Sequence, residues 1–175
     1  MILIVDSGST KSDWIAIDSK TGNHFFERQR TSGLNPAIIS KFEAIDIINK
    51  NKIITNHRLR VEYVFFYGAG CGTAEASRML KNVLKSIFSN AKVSVKEDTS
   101  AAVFSTIDSE ASPAVVCILG TGSNCTYFDG KKAQQRVFSL GYSVMDDASG
   151  NYFGRQLLRD YYFDFMPHDF KLMFE

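Results

Sequence analysis

Residues 2–17, Ile-Leu-Ile-Val-Asp-Ser-Gly-Ser-Thr-Lys-Ser-Asp-Trp-Ile-Ala-Ile, decide the fold. Ile2 to Val5 is an unbroken apolar run, as in a strand covered on both faces. Trp14 to Ile17 is a second apolar run. The stretch between them is small, polar and glycine-containing. A dinucleotide-binding unit would pass from strand to turn to helix, whereas this turn leads straight into another strand. A tight turn of small residues can aim several backbone N–H groups at phosphate oxygens. Gly8, Ser9, Thr10 and Lys11 supply that turn, with two hydroxyls and one positive charge. Asp6, at the end of the first strand, can hold a magnesium ion, usually through its waters. A polar hairpin without a ligand is the competing reading of the same residues.

Outward from this hairpin, Lys20 to Asn23 is a turn into a third strand near His24 to Arg30. Ile38, Phe42, Ile45 and Ile48 follow at helical spacing, with Pro36 acceptable in the first turn. Val61 to Tyr67 is a strand ending at Gly68-Ala69-Gly70. Thr73 can cap a helix whose apolar face is Ala76, Leu80, Val83, Leu84 and Ile87. A short strand, Lys92 to Val95, runs into Glu97-Asp98, and a small-residue helix is expected over Ser100 to Ile107.

Beyond a boundary at Ser109 to Pro113 the pattern restarts. Ala114 to Leu119 reads as a buried strand ending in Gly120-Thr121-Gly122-Ser123. Asn124 to Phe128 and Gln134 to Ser139 form a hairpin around Asp129-Gly130, and a helix begins near Ser149 and runs through Arg159. Strand, glycine turn, strand, turn, strand thus occurs twice, a duplication of architecture with little identity between copies. The expected domains are a first lobe over 1–112 and the beginning of a second over 113–175, read as truncated, or as completed by another chain, because its remaining helices are missing.

The second glycine turn alone is weak evidence. Two such turns, each between strands, can clamp a polyphosphate. Asp98 lies just past a strand, where a carboxylate can accept a proton from an attacking hydroxyl; capping the next helix is the alternative. Asp146-Asp147 before a helix is open to the same two readings. Asn35 can donate to and accept from a sugar hydroxyl, or simply serve the turn before Pro36.

Hydrophobic residues make up 45% and charged residues 22%, as in an ordinary globular chain, and the net charge of +1 carries no Lys/Arg run. Those values argue against nucleic acid or a membrane surface as partner. Cys71, Cys117 and Cys125 follow no zinc or disulfide spacing and suit a reducing cytoplasm. Cys117 and Cys125 are expected to be buried, Trp14 to be core, and Tyr161 to Phe165 to be packing. His24, His57 and His168 share no metal spacing.

Taken together, these segments resemble the N-acetylglucosamine kinase and BadF-type ATPase group of the actin-like ATPase superfamily. The similarity rests on DSGSTKSDW at 6–14, ILGTGSNC at 118–125 and LGYSVMDDASGNYFGR at 140–155. SGLNP at 32–36 and YGAGCG at 67–72 fit that group's sugar-side loops. The resemblance implies an α/β fold of two related lobes closing on ATP and Mg2+, with transfer of the γ-phosphate to a sugar 6-hydroxyl. It implies phosphate contacts at Gly8, Ser9, Thr10, Lys11, Gly120, Thr121, Gly122 and Ser123, magnesium at Asp6, and Asp98 as catalytic base. It implies sugar contacts at Asn35, Gly70, Asp98, Thr121, Asn124, Gly141 and Asp146. Asp147-Ala148 stands where Glu-Gly is usual, and the group's adenine-binding segment is expected beyond Glu175. A small sugar is then the partner, with a homodimer compatible and oligomeric state open. The alternatives are an ATPase that activates an iron–sulfur dehydratase-type partner, for which three separated cysteines look unsuited, and a sugar- or nucleotide-binding fragment without turnover.

Overall fold

The computed structural model describes residues 1–107, 112–135, 137 and 140–174. The chain divides into two compact units, Met1–Ala101 and Ala102–Glu175.

The first unit is built on five strands: β1 (Ile2–Ser7), β2 (Lys11–Ile17), β3 (His24–Ser32), β4 (Tyr63–Gly68) and β5 (Lys92–Lys96). Their order is β3-β2-β1-β4-β5. β1 and β2 pair antiparallel, as do β2 and β3, while β4 and β5 run parallel to β1. Helices α1 (Lys41–Lys50), α2 (Lys52–Asn56) and α3 (Ala74–Ile87) and a 3-10 turn at Arg58–Arg60 belong to this unit. A further helix, α4 (Asp98–Thr106), holds the division between the two units. The expected mixed sheet flanked by helices is therefore the observed one.

Period-two alternation builds the core. Leu3, Val5, Trp14, Ala16, Val64 and Phe66 lie on one sheet face and are fully buried. They share one cluster with Ala44 and Ile48 of α1 and Leu80, Val83 and Leu84 of α3. Trp14 satisfies its ring N–H on Thr31 Oγ1 at 3.0 Å. The opposite face is only partly covered, with Ile2 and Ile4 half-buried and Tyr63 and Phe65 exposed. The apolar run at the N-terminus thus does not mean two equally covered faces.

α1 differs from expectation. Ser40 and Glu43 form a capping box that starts the helix at Lys41. Ile38 is left outside the helix, and both Ile38 and Phe42 are exposed; Ala44 and Ile48 carry the buried face. Thr73 caps α3 as expected, accepting the Ala76 N–H at 3.2 Å.

The second unit pairs β6 (Ala114–Leu119), β7 (Ser123–Phe128) and β8 (Ala133–Gln134) antiparallel. Two helices follow, α5 (Gly150–Tyr162) and α6 (His168–Phe174). Ser149 caps α5 by accepting the Tyr152 N–H. β8 ends at Gln134; of the longer strand expected there, residues 136, 138 and 139 lie outside the described residues. Residues 109–111 of the expected boundary also lie outside them. α6 was not anticipated, because its apolar residues follow a Met-Pro-His turn with no cap signal. Tyr162, Phe163 and Phe165 are exposed rather than packed, and Cys117 and Cys125 are exposed rather than buried. Both cysteines lie on the sheet face shared with Val115 and Leu119, which is open. Among the described residues no helix is long and apolar enough to cross a membrane.

Candidate functional site

In the first unit the β1–β2 turn is closed by the Gly8 N–H donating to the Lys11 carbonyl at 2.9 Å. The N–H groups of Ser9 and Thr10 have no acceptor among the described residues. Buried hydroxyls brace the stem. Ser7 and Ser12 share a 2.7 Å hydrogen bond, Ser7 Oγ accepts the Leu34 N–H at 2.9 Å, and Ser12 donates to the Ser32 carbonyl. Gly33 backs the turn so closely that an added Cβ would overlap the Ser9 carbonyl. The turn is therefore fastened at its stem and packed closely at Ser9.

Asn35, expected on the sugar side, is buried beneath this turn. Its Nδ2 donates to Ser9 Oγ and its Oδ1 accepts the Ala37 N–H, each at 2.9 Å. Gly70 lies against it with φ +77°, and a Cβ there would overlap Asn35 Oδ1. The SGLNP loop, the YGAGCG loop and the phosphate-type turn are thus one packed cluster.

Asp6 faces Asp13 across β1–β2. Asp13 is held by Arg30 at 2.9 Å and Arg28 at 3.5 Å, and the Arg30 hydrogen bond keeps its carboxyl below the ordinary value. Asp6 has no such partner among the described residues. Partial burial raises its carboxyl above the ordinary value, Asp98 and Asp13 push it the same way, and Lys11 opposes them. Asp98 opens α4 and accepts the Thr99 N–H through Oδ1 at 2.9 Å. It is exposed, and its Oδ2 has no hydrogen-bond partner among the described residues. Burial, then Asp98 and Glu97, push the Cys71 thiol up to about 12. Among the described residues no three His, Cys, Asp or Glu side chains are placed to hold one metal ion between them. One or two carboxylates suit Mg2+, which keeps several waters and binds mainly with phosphate oxygens.

The second unit repeats the arrangement. The Gly120 N–H donates to the Gly122 carbonyl at 2.9 Å, and Thr121 and Gly122 keep N–H groups without an acceptor among the described residues. The first amides of α5 brace the turn from behind, Gly150 N–H on the Gly120 carbonyl at 2.8 Å and Asn151 N–H on that of Thr121 at 3.1 Å. Asp146, at φ 69°, accepts the Ser123 N–H at 3.1 Å. Its loop also has Gly141 at φ 73°, and Arg155 donates to the Tyr142 carbonyl at 2.7 Å. Asn124 is half-buried and its Oδ1 accepts from Thr126. A cavity of about 480 Å³ lined by Ser123, Asn124, Cys125, Gln134, Asp146 and Asp147, among others, opens beside this hairpin.

A crystal structure of a provisionally assigned N-acetylglucosamine kinase from Porphyromonas gingivalis superposes on the chain with TM-score 0.79 and 33% identity, over 99% of this chain and 60% of that one. The fold is that of the actin-like sugar kinases. An inorganic polyphosphate/ATP-glucomannokinase from Arthrobacter sp. strain KM shares it at TM-score 0.54 and 19% identity, over 89% of this chain and 70% of that one. No protein-family model matches the chain, and no curated protein sequence does. The chain spans about 60% of the length of the Porphyromonas protein.

Within this sugar-kinase fold, each unit brings its expected phosphate and sugar residues into one cluster. Residue-type reasoning missed the supports: Gly33 behind Ser9, the Arg28–Arg30 pair on Asp13, and the Cys117–Cys125 contact. Cys117 and Cys125 stand four residues before and four after Thr121, and that symmetry about the turn was the available signal.

Proposed function

We propose that the chain acts as an ATP-dependent phosphotransferase on an amino sugar, N-acetylglucosamine by preference, with the 6-hydroxyl as acceptor. The observation carrying this reading is the corner around Asp6. There a carboxylate crowded by Asp98 stands at the foot of a turn that presents two unpaired amides and Lys11. That combination attracts a hard cation and phosphate oxygens together. The 33% identity to the Porphyromonas protein supports the choice of sugar.

In the proposed reaction Asp98 accepts the hydroxyl proton while the sugar oxygen bonds to the γ-phosphorus. The bond from that phosphorus to the bridging oxygen breaks, and its electron pair leaves with ADP. The Ser9 and Thr10 amides and Lys11 hold phosphate oxygens in place. Gly120 to Ser123 serve the same role in the second unit, where the Thr121 and Gly122 amides are available. Magnesium bound near Asp6 supplies positive charge that offsets the negative charge of the phosphates. Asn35, Gly70, Thr121, Asn124, Gly141 and Asp146 orient the sugar, and Asn35 and Asp146 do so while fastened to the turns. Catalysis is then positioning and charge stabilisation.

The test is transfer of labelled γ-phosphate from ATP across a panel of hexoses and hexosamines, with calorimetric titration of sugar and nucleotide beside it. N-acetylglucosamine is expected to lead the panel. Asp98→Asn is expected to lower transfer by about 10²–10⁴-fold with sugar binding retained. Full activity in that variant would remove Asp98 from the base role. Sugar binding without transfer would make the chain a binding fragment, and failure to bind ATP or ADP would sink the phosphate reading itself.

A further inference from the structure

Cys117 and Cys125 sit directly opposite each other on β6 and β7, three strand pairs from the open end of the glycine turn, with their Sγ atoms 3.2 Å apart. Both side chains are exposed. Opposite residues of an antiparallel pair have Cα atoms roughly 4.5–5.5 Å apart, within the roughly 4.4–6.8 Å that a disulfide spans. The backbone is thus already placed for a bond, and the sulfurs need approach by only about 1.2 Å to reach the usual length of about 2.05 Å. No third ligand-type side chain joins them among the described residues, so the pair does not make a tetrahedral zinc site.

We infer that Cys117 and Cys125 form a dithiol–disulfide site that clamps the hairpin bearing the Thr121 and Gly122 amides. The oxidant is a low-molecular-weight disulfide of the glutathione class. A thiolate of the pair attacks one sulfur of that disulfide and expels one small thiol, giving a mixed disulfide. The second cysteine, as thiolate, then attacks the protein sulfur and expels the other small thiol. One small disulfide is reduced to two thiols, and the cysteine pair is oxidised with loss of two protons and two electrons. The clamp joins β6 to β7 next to Asn124 and alongside the cavity that Cys125 lines. Cys71 is an internal control: it is 4% exposed, and its thiol is pushed up to about 12, so it holds back from exchange. Any effect of the clamp on phosphate binding rests on the kinase reading; the chemistry at the sulfurs does not.

The experiment equilibrates the whole chain with graded ratios of oxidised to reduced glutathione, alkylates it, and maps the products by mass. Both cysteines lie between Lys96 and Lys131 with no Lys or Arg between them and the latter, so one tryptic peptide holds both. That peptide is expected to lose two hydrogens and to carry no glutathione. Exchange of the hydrogen-bonded amides along β6 and β7 is expected to slow by roughly tenfold in the oxidised chain. Cys117→Ser and Cys125→Ser should each abolish the hydrogen loss, and Cys71→Ser should leave it unchanged. Stable glutathione adducts on both cysteines, a disulfide between two chains, or two thiols that stay alkylatable at every ratio would each overturn the inference. None of these readouts needs ATP or sugar, so their failure leaves the proposed kinase activity standing.

Discussion

Asp6 costs stability when charged, and the proposed magnesium role asks it to be charged. Its carboxyl is raised by burial, Asp98 and Asp13, so the folded chain favours the protonated form. A raised value means that this contribution is fully present below the ordinary carboxylate value and is lost as pH rises through the folded one. At neutral pH the charged group therefore costs stability. Asp6→Asn should raise the thermal midpoint by about 1–2 °C, the shift that about 0.5 kcal/mol, a common size for an exposed charge interaction, gives in a chain of this length. The same change should abolish any rise in midpoint produced by Mg2+ with nucleotide, read by calorimetry. Ala148 is a second strained position, at φ 60° where the resembling family usually has Gly. A left-handed alanine costs roughly 1–2 kcal/mol, partly offset by the greater unfolded-state freedom of glycine. Ala148→Gly should accordingly stabilise the chain by up to about 1 kcal/mol in urea unfolding. A loss of stability would show that the loop holds this conformation without strain.

At the scale of elements, the hairpins depend on what lies behind them. Gly33→Ala would drive a methyl into the Ser9 carbonyl, and overpacking of this kind costs about 1–3 kcal/mol. Nucleotide affinity should fall with it, whereas Gly22→Asn, at an open position whose φ of +73° asparagine tolerates, should leave affinity unchanged. Local signals made much of this legible. Thr73 and Ser149 marked two helix starts because a cap and its partner lie three residues apart. Ile38 and Phe42 misled because their spacing fits a helix that Ser40 and Glu43 begin too late to include them. The residues of the two turns were legible by type and order. Their fastenings were not: Asn35 meets Ser9 across 26 residues and Asp146 meets Ser123 across 23, and no local pattern encodes such closures.

Across the whole molecule, burial is uneven. The main apolar cluster runs from Met1 to Val93 and lies within the first unit. α5 and α6 hold no buried residue, and Phe153, Leu157, Leu158 and Phe170 are exposed. Opening free energy follows buried apolar contact. Native-state hydrogen exchange should therefore protect β1, β4 and α3 by at least about tenfold more than α5 and α6. Equal protection across both units would mean that the chain opens only as one cooperative body. Asn35 has an effect well out of proportion to its size. By donating an amide proton to Ser9 Oγ, it takes up an acceptor site on that oxygen and leaves the Ser9 hydroxyl hydrogen to be directed elsewhere. Under the proposed phosphate reading, that hydrogen is available to donate to an incoming anion, and Asn35 keeps the Ser9 oxygen in place for it.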